Sequence, residues 1–465
     1  MNIVQEIRRQ NHGAKLAAKS QDFEITFDEL FAAVDQITSA LRSHPAFQIN
    51  GIPRIGIRFP NGLAYIAVAL AVLETGACFV PIPDELTDHE RDQLISDTSL
   101  HGIVKAGDHG LPLPLNLGTA EILELHPTPT AFPVTTFEDL NPAFIRFSSG
   151  TTGSSKGVVL SHESLLERIL AANRGLKLQA GDRVLWTLPM AHHFAVTIVL
   201  YLYHGVTTVL EESHHPEAIY EAAKESGTHL LYGSPFHFAQ LAECQNAGPL
   251  PDLRLAISTA FALSPDIAKS FEKRFQLPLT QALGIIEVGL PILNLDQASE
   301  QPGALGQALP DYDVKTEDGE LFLKGPGMFD AYLIPWQPRP EPWFATGDLV
   351  EIKDKTITMK GRRKSVINVA GMKVFPEEVE KILNNHPAIA ESRVLAERHP
   401  ALGSFPLAEI VVLENHTPPT LRGIREFCGK NLAGYKLPMQ MRLVQKISRT
   451  ASGKIKRHQE RTPPS

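Results

Sequence analysis

Residues 147–162 read FSSGTTGSSKGVVLSH, and this stretch decides the fold. It gathers the hydroxyls of Ser148, Ser149, Thr151 and Thr152, the glycines Gly150, Gly153 and Gly157, and Lys156. Glycine admits backbone conformations that other residues avoid and lets N–H groups approach a ligand closely. Hydroxyls, N–H donors and one full positive charge together suit a polyanion such as a triphosphate. Val158, Val159 and Leu160 follow as an apolar run of strand type. Ser161 is placed to cap a helix whose apolar positions are Leu165, Leu166, Ile169 and Leu170. The expected order is strand, loop, strand, helix.

Two other readings compete for this stretch. A P-loop requires GxxxxGK[ST], and here Lys156 stands between Ser155 and Gly157, so that pattern fails. The second is a flexible Ser/Gly linker. A linker does not normally run straight into three aliphatic residues and a capped helix.

Upstream, the strand-like RIGIR (54–58), a turn at Pro60-Asn61-Gly62, a helix over 63–74 and the strand 78–81 form a strand–helix–strand unit. Short connections of this kind predict a mainly parallel sheet covered by helices. A strand from Phe23 to Thr26 precedes a helix with Leu30, Val34, Ile37 and Leu41 on one face, and a helix at 94–96 precedes a strand at 102–104. Residues 107–141, rich in proline and threonine, read as a domain boundary or a surface excursion, and the second is preferred because the loop that follows needs a sheet behind it. Downstream, a strand at 183–188 and the alternation from Thr228 to Leu283 continue the α/β pattern. Between 301 and 360 the pattern changes to short alternating runs separated by Asp318-Gly319 and Asp354-Lys355, which predicts antiparallel strands. At Gly361-Arg362-Arg363-Lys364 the chain turns basic, and the domain boundary is placed there: residues 1–361 and 362–465. The C-terminal part reads as small α+β, with strands at 391–396 and 407–413 and a helix at 421–432.

The 465 residues carry a net charge of −8, with no basic excess to neutralise a nucleic acid. Cys78, Cys244 and Cys428 are far apart and odd in number, which fits a reducing compartment better than a disulfide framework. The N-terminal MNIVQEIRRQNHG lacks an apolar signal core, and the apolar runs at 63–73 and 194–203 are shorter than the roughly 20 residues a span needs. The expectation is a cytoplasmic protein without a transmembrane segment.

Two titratable positions and one basic run stand out, each with two readings. His192 follows a Leu-Pro dipeptide and is either a half-buried structural side chain or a site residue. Glu287 is the only charge between Ala282 and Leu293, and a lone carboxylate is costly to bury unless paired or bound to a metal. The run SRTASGKIKR (448–457) is either a solvated basic tail or a functional loop.

SSGTTGSSKG resembles the signature loop of the adenylate-forming (AMP-binding) superfamily, which includes acyl-CoA synthetases. The resemblance extends in order through ETGACFVPI (74–82), LGIIEVG (283–289), TGD (346–348), GRRK (361–364) and SRTASGKIKR. It implies an α/β fold with a large N-terminal domain of layered αβα sheets, a β-rich subdomain and a small mobile α+β C-terminal domain. It implies that Ser149, Gly150, Thr151, Thr152, Gly153, Lys156 and Gly284 contact ATP, that Asp348 accepts from both ribose hydroxyls, and that Arg362 contacts the ribose. Glu287 and Thr152 would bind Mg²⁺, His192 would line the mouth of the substrate site, Lys364 would be a hinge, and Lys454 would be the catalytic lysine. The implied activity is ATP-dependent activation of a small-molecule carboxylic acid to an acyl-adenylate, followed by transfer to coenzyme A. A ligase loading the phosphopantetheine of an acyl carrier protein, or a weakened adenylate-binding homologue, remains open at this point. Five positions depart from the usual pattern: Ser155 for proline, Leu283 for an aromatic, Ile286 for threonine, Ala260 within STAFAL for a glycine-containing run, and Asn368 for lysine.

Overall fold

The computed structural model describes residues 1–465 apart from 22, 128–131, 148–155, 214, 261, 340, 370–371, 400–402, 450–454 and 456–465, and without the side chains at 364, 373 and 403. The chain divides into two compact units. The first takes 1–148, 155–313 and 323–344, and the second includes 314–322 and 345–465.

Two large sheets dominate the first unit. One has eight strands in the order 337–338, 331–332, 157–161, 142–147, 78–81, 54–58, 102–112 and 119–124. Its centre is parallel, as the short strand–helix–strand connections demand. The other has nine strands in the order 307–308, 289–293, 279–285, 255–258, 230–233, 183–186, 207–210, 16–19 and 24–26. Its strands from 16–19 through 279–285 pair in parallel. The mixed α/β architecture expected from the sequence is therefore present. The 63–74 helix is apolar on every side, and Tyr65 to Leu73 are all buried. By contrast, the helix Phe27–Arg42 buries one stripe, and a reciprocal Thr26–Glu29 capping box fixes its start. Tyr65, Phe79, Phe144 and Phe194 pack with ring centroids 5.2–6.2 Å apart, joining helix and sheet.

The deciding stretch folds in the expected order. Strand Pro142–Phe147 and strand Gly157–Ser161 pair antiparallel on either side of the loop, and helix His162–Leu176 follows. Ser161 caps that helix by accepting from Ser164 N at 3.0 Å. Two local differences stand out. The 102–104 strand runs on to Pro112, and 119–124 pairs back on it antiparallel, so the surface excursion contains an edge strand. Exposure of that edge, with Lys105 and Glu121 paired across it at 3.0 Å, removes the apolar alternation that signals a strand. The apolar run at 194–203 is helical and buried, but it begins as a π-turn over 194–198.

A four-stranded sheet follows in the order 313–317, 320–324, 344–353 and 356–362. Asp318-Gly319 and Asp354-Lys355 all have positive φ, the backbone a tight two-residue hairpin requires. The C-terminal sheet orders its strands 372–374, 367–369, 403–412 and 389–399, with 440–443 added beside 403–412. Helices Pro376–Leu383 and Leu421–Cys428 cover a core of Ile367, Val379, Leu383, Val394, Ile410 and Ile424. Among the described residues all three cysteines are free and buried, and no helix is long and apolar enough to cross a membrane.

A buried histidine at the start of the 162–176 helix makes stability depend on pH. His162 is 2% exposed and accepts the Ile3 N–H through Nδ1 at 3.1 Å. Burial pushes its pKa down to about 4. An unfolded histidine titrates near 6.5, so between those values the unfolded chain binds the extra proton. Stability should be complete above pH 6.5 and fall as the pH drops towards 4, by up to about 3 kcal/mol from this residue. Urea unfolding at both pH values checks this, and His162→Gln should show a shallower loss. Equal losses in the two proteins would remove His162 as the cause.

Candidate active site

Of the loop, Lys156 is the described residue that bears on charge; Ser149, Gly150, Thr151, Thr152 and Gly153 lie outside the described residues, as does Lys454. Lys156 enters the Gly157–Ser161 strand, and its Nζ lies 4.5 Å from the centroid of the Tyr332 ring. Tyr332 is brought there by backbone pairing. Strand Ala331–Tyr332 runs antiparallel to 157–161, with Tyr332 opposite Val158, and Leu333 N donates to Gly157 O at 2.7 Å.

Glu287 sits on the tight turn that links strands 279–285 and 289–293, closed by Val288 N donating to Ile285 O at 2.9 Å. The Tyr332 hydroxyl donates to Glu287 Oε1 at 3.3 Å, and Phe329 N donates to the Glu287 carbonyl at 2.7 Å. The same tyrosine thus touches Lys156 and Glu287, which are 131 positions apart in sequence. Burial, and next the Glu287 charge, push the Tyr332 hydroxyl well above the usual phenol range, so it stays a donor.

Two arginines add positive charge around this carboxylate. Arg168 is 1% exposed and donates to Gly327 O through Nε at 2.9 Å and Nη2 at 2.6 Å, and to Ile286 O through Nη1 at 3.1 Å. Arg146, at the end of strand 142–147, donates to the carbonyl of His192. Burial pushes both guanidinium pKa values down to about 10, and Glu287 works against burial in each case. Both remain cations at neutral pH. Gly327, with φ of +64°, lets its segment pass so close to the 162–176 helix that a Cβ there would lie 2.3 Å from Arg168 N. A side chain has no room at that crossing.

His192 Nε2 lies 2.6 Å from Glu85 Oε1, and this bond holds the Glu85 carboxyl below its usual range. His193 packs instead on aromatic rings, 5.5 Å from Trp186 and 6.4 Å from Tyr232. Asn61 fixes the Leu-Pro turn before them by donating to Leu188 O at 3.0 Å and accepting from Met190 N at 2.7 Å. Gly284 is exposed near the end of the 279–285 strand, and a Cβ there would only touch Gly289 O and Thr259 Oγ1, each at 3.9 Å. Among the departures, Leu283 pairs across the hairpin with Ile292, and the Ile286 carbonyl is taken by Arg168. Ala260 holds φ of +73°, a conformation that favours glycine.

In the second unit, Asp348 and Arg362 are opposite each other in the 344–353/356–362 hairpin. Arg362 Nε approaches Asp348 Oδ1 at 2.9 Å, and Asp348 is 1% exposed. Glu320, also buried, accepts from Gly347 N at 3.0 Å and from Arg363, which fixes the turn before Asp348. The backbone at Lys364 lies in a short 3₁₀ turn, Arg363–Ser365. Register pairing therefore brings two of the expected nucleotide residues together.

Among the described residues no three His, Cys, Asp or Glu side chains gather as a metal centre. Glu287 by itself suits a hard cation that draws its other ligands from substrate phosphates and water, as Mg²⁺ does. The residues sequence reasoning missed are Tyr332, Arg168, Arg146, Asn61 and Glu320. Arg146, a charge inside the otherwise apolar PAFIRF, is the one that carried a visible signal.

Residues 6–333 match the AMP-binding enzyme family, and 378–454 match the AMP-binding enzyme C-terminal domain. The chain is 26% identical over 444 residues to a 2-succinylbenzoate–CoA ligase of Listeria monocytogenes serotype 4b (strain F2365), covering 94% of this chain and 93% of the relative. It is also 26% identical, over 500 aligned residues, to a 4-chlorobenzoate–CoA ligase of Arthrobacter sp, covering 98% and 93%. ATP-bound MatB from Rhodopseudomonas palustris superposes with a TM-score of 0.84 at 22% identity, over 98% of this chain and 97% of that one. The o-succinylbenzoate CoA synthetase of Bacillus subtilis, in complex with its acyl-adenylate intermediate, gives 0.83 at 21% identity, over 100% and 98%. Identity at this level speaks for a shared fold, and the first family match spans well over half of the sequence. The chain belongs to the AMP-binding enzyme family.

Proposed function

We propose that this enzyme, an AMP-forming acid–thiol ligase, joins a small-molecule carboxylic acid to coenzyme A at the expense of ATP. The observation that carries the reading is the arrangement around Glu287: Lys156 and Glu287 share Tyr332, and Arg146 and Arg168 supply further positive charge. A lysine ammonium set beside this carboxylate by Tyr332, in a setting made more positive by two buried arginines, suits a nucleotide polyphosphate and its cation. The naming of the relatives as CoA ligases supports coenzyme A as the thiol.

In the first step a carboxylate oxygen attacks the α-phosphorus of ATP. The new P–O bond forms as the bond to the bridging oxygen breaks, and pyrophosphate leaves. Positioning and charge neutralisation do most of the work in such transfers. In this reading the 149–153 loop and Lys156 hold the β- and γ-phosphates, and Gly284 leaves room for the nucleotide. Glu287 and Thr152 would hold Mg²⁺, which would supply neutralisation of phosphate charge. Asp348 receives the ribose hydroxyls, with Arg362 beside it. His192, its ring held by Glu85, lines the substrate mouth. Lys454 meets the incoming carboxylate and the charge growing at the α-phosphate. In the second step the thiol attacks the acyl carbon and AMP leaves. The 362–465 domain turns about Lys364 between the steps, a gating motion. The free cysteines agree with a cytoplasmic setting.

A pyrophosphate-release screen over acids of graded length and aromaticity tests the reading, with coenzyme A and a phosphopantetheinyl carrier protein as separate acceptors. The expected result is acid-dependent pyrophosphate release and a thioester on coenzyme A. Release with no acid in the panel, or thioester on the carrier alone, would overturn it.

A further inference from the structure

We infer that Tyr332 is a positioning residue that sets Lys156 and Glu287 in register for a magnesium–nucleotide. This inference rests on the proposed roles of those two residues. Tyr332 uses two different parts of one side chain. Its ring face carries the Lys156 ammonium at 4.5 Å, and its hydroxyl donates to Glu287 Oε1 at 3.3 Å. An ammonium over an aromatic face is held by the ring quadrupole without losing its charge or its donors. A hydroxyl donor to a carboxylate fixes the carboxylate plane and leaves its charge intact.

The surrounding backbone makes Tyr332 a rigid reference. Its strand is bonded to the strand that leaves the phosphate loop, through Tyr332 opposite Val158 and Ala331 opposite Val159. Three residues earlier, Phe329 N donates to the Glu287 carbonyl at 2.7 Å. Two residues before that, Gly327 O accepts from Arg168, whose third nitrogen holds Ile286 O at 3.1 Å. Asp330 accepts from Ser161 N at 2.7 Å and from Ser164 Oγ at 3.0 Å, which ties the same segment to the start of the 162–176 helix. Residues 327–333 are thus a strap, bonded on one side to the 157–164 segment and on the other to the Glu287 turn. Tyr332 is the point on that strap from which a side chain reaches both charged groups. Displacement of either charge by about 1 Å costs orders of magnitude in a reaction that depends on positioning.

The hydroxyl and the ring separate cleanly. Tyr332→Phe keeps the ring beneath Lys156 and removes the donor to Glu287. Tyr332→Leu removes both. Calorimetric binding of ATP is measured for each, with Mg²⁺ and with the metal chelated, alongside Glu287→Gln as a reference. Tyr332→Phe should weaken Mg²⁺-ATP binding roughly ten- to a hundredfold, the range for one hydrogen bond to a charged group, and leave metal-free ATP unchanged. Tyr332→Leu should weaken binding in both arms. Melting temperatures check that the variants are folded. Equal loss in both arms for Tyr332→Phe, or none in either, overturns the inference while Glu287→Gln still reports on the parent reading. If Glu287→Gln leaves the effect of Mg²⁺ intact, the parent reading has failed, and Tyr332 fails with it.

Discussion

Replacing Lys454 by alanine will slow acyl-adenylate formation by about 10²- to 10³-fold, the usual effect of losing a positioned donor at developing charge. Coenzyme A thioester formation from supplied acyl-adenylate will stay within a few fold. The asymmetry follows from charge. The first step brings a carboxylate anion to an α-phosphate that is already anionic, so a cation between them lowers the barrier. The second step brings a thiol to a carbonyl that is already activated, and no such clash exists. The described residues nearest to Lys454 in sequence are held. Arg449 and Ile455 form a β-bridge with each other, Arg449 pairs with Glu391, and Ile447 is buried. A basic tail in free solution would need none of these contacts. Rapid-quench measurement of each half-reaction decides the matter. Equal loss in both would mean that Lys454 serves the fold or the domain, and not the adenylation step.

The strand and helix of the 147–162 stretch were legible because their signals are local. Val158 to Leu160 is apolar, Ser161 can cap, and the helix periodicity begins at once; each fact lies within a few residues of the next. The hairpin turns at 318–319 and 354–355 were legible for the same reason, since positive φ at two adjacent positions has a short list of suitable residues. Asp348 and Arg362 were found as separate motifs. Their pairing was not visible, because it depends on the register of a hairpin that shifts by a bulge between Leu349 and Val350.

Tyr332 and Arg168 carry no such local signal. In sequence Tyr332 is one aromatic in a two-residue strand, and Arg168 is one cation on a helix that has polar residues elsewhere. Each acquires meaning through partners more than 40 positions away: Glu287 for Tyr332, and Gly327 with Ile286 for Arg168. The departures at Leu283 and Ile286 change their meaning in the same way. Ile286 lacks a hydroxyl, yet its carbonyl is one of the bonds that fix the Glu287 turn. The turn is therefore positioned through its backbone, whatever side chain stands at 286.

That arrangement makes Glu287→Gln the other large effect. Glutamine keeps the size of the side chain and an oxygen to accept from Tyr332, so the turn should keep its shape. The charge disappears. If Glu287 ligates the metal as proposed, its loss should lower Mg²⁺-dependent turnover by at least about 100-fold, given that even the outer partners of metal ligands contribute 10- to 100-fold. The neighbouring cations sharpen the expectation. Arg146 and Arg168 remain charged, and the carboxylate that opposed them is gone. The site becomes more positive, so metal-free ATP should bind as well as before or more tightly, even as the advantage conferred by Mg²⁺ disappears. Loss of the carboxylate also removes a favourable charge near buried Arg146, so the melting temperature should fall. Calorimetric titration of the variant with ATP, in magnesium and in chelator, reads both arms directly. A variant that retains the magnesium advantage, or that loses affinity equally in both arms, would place the metal away from Glu287 and leave the residue a structural counter-charge to Arg168 and Arg146.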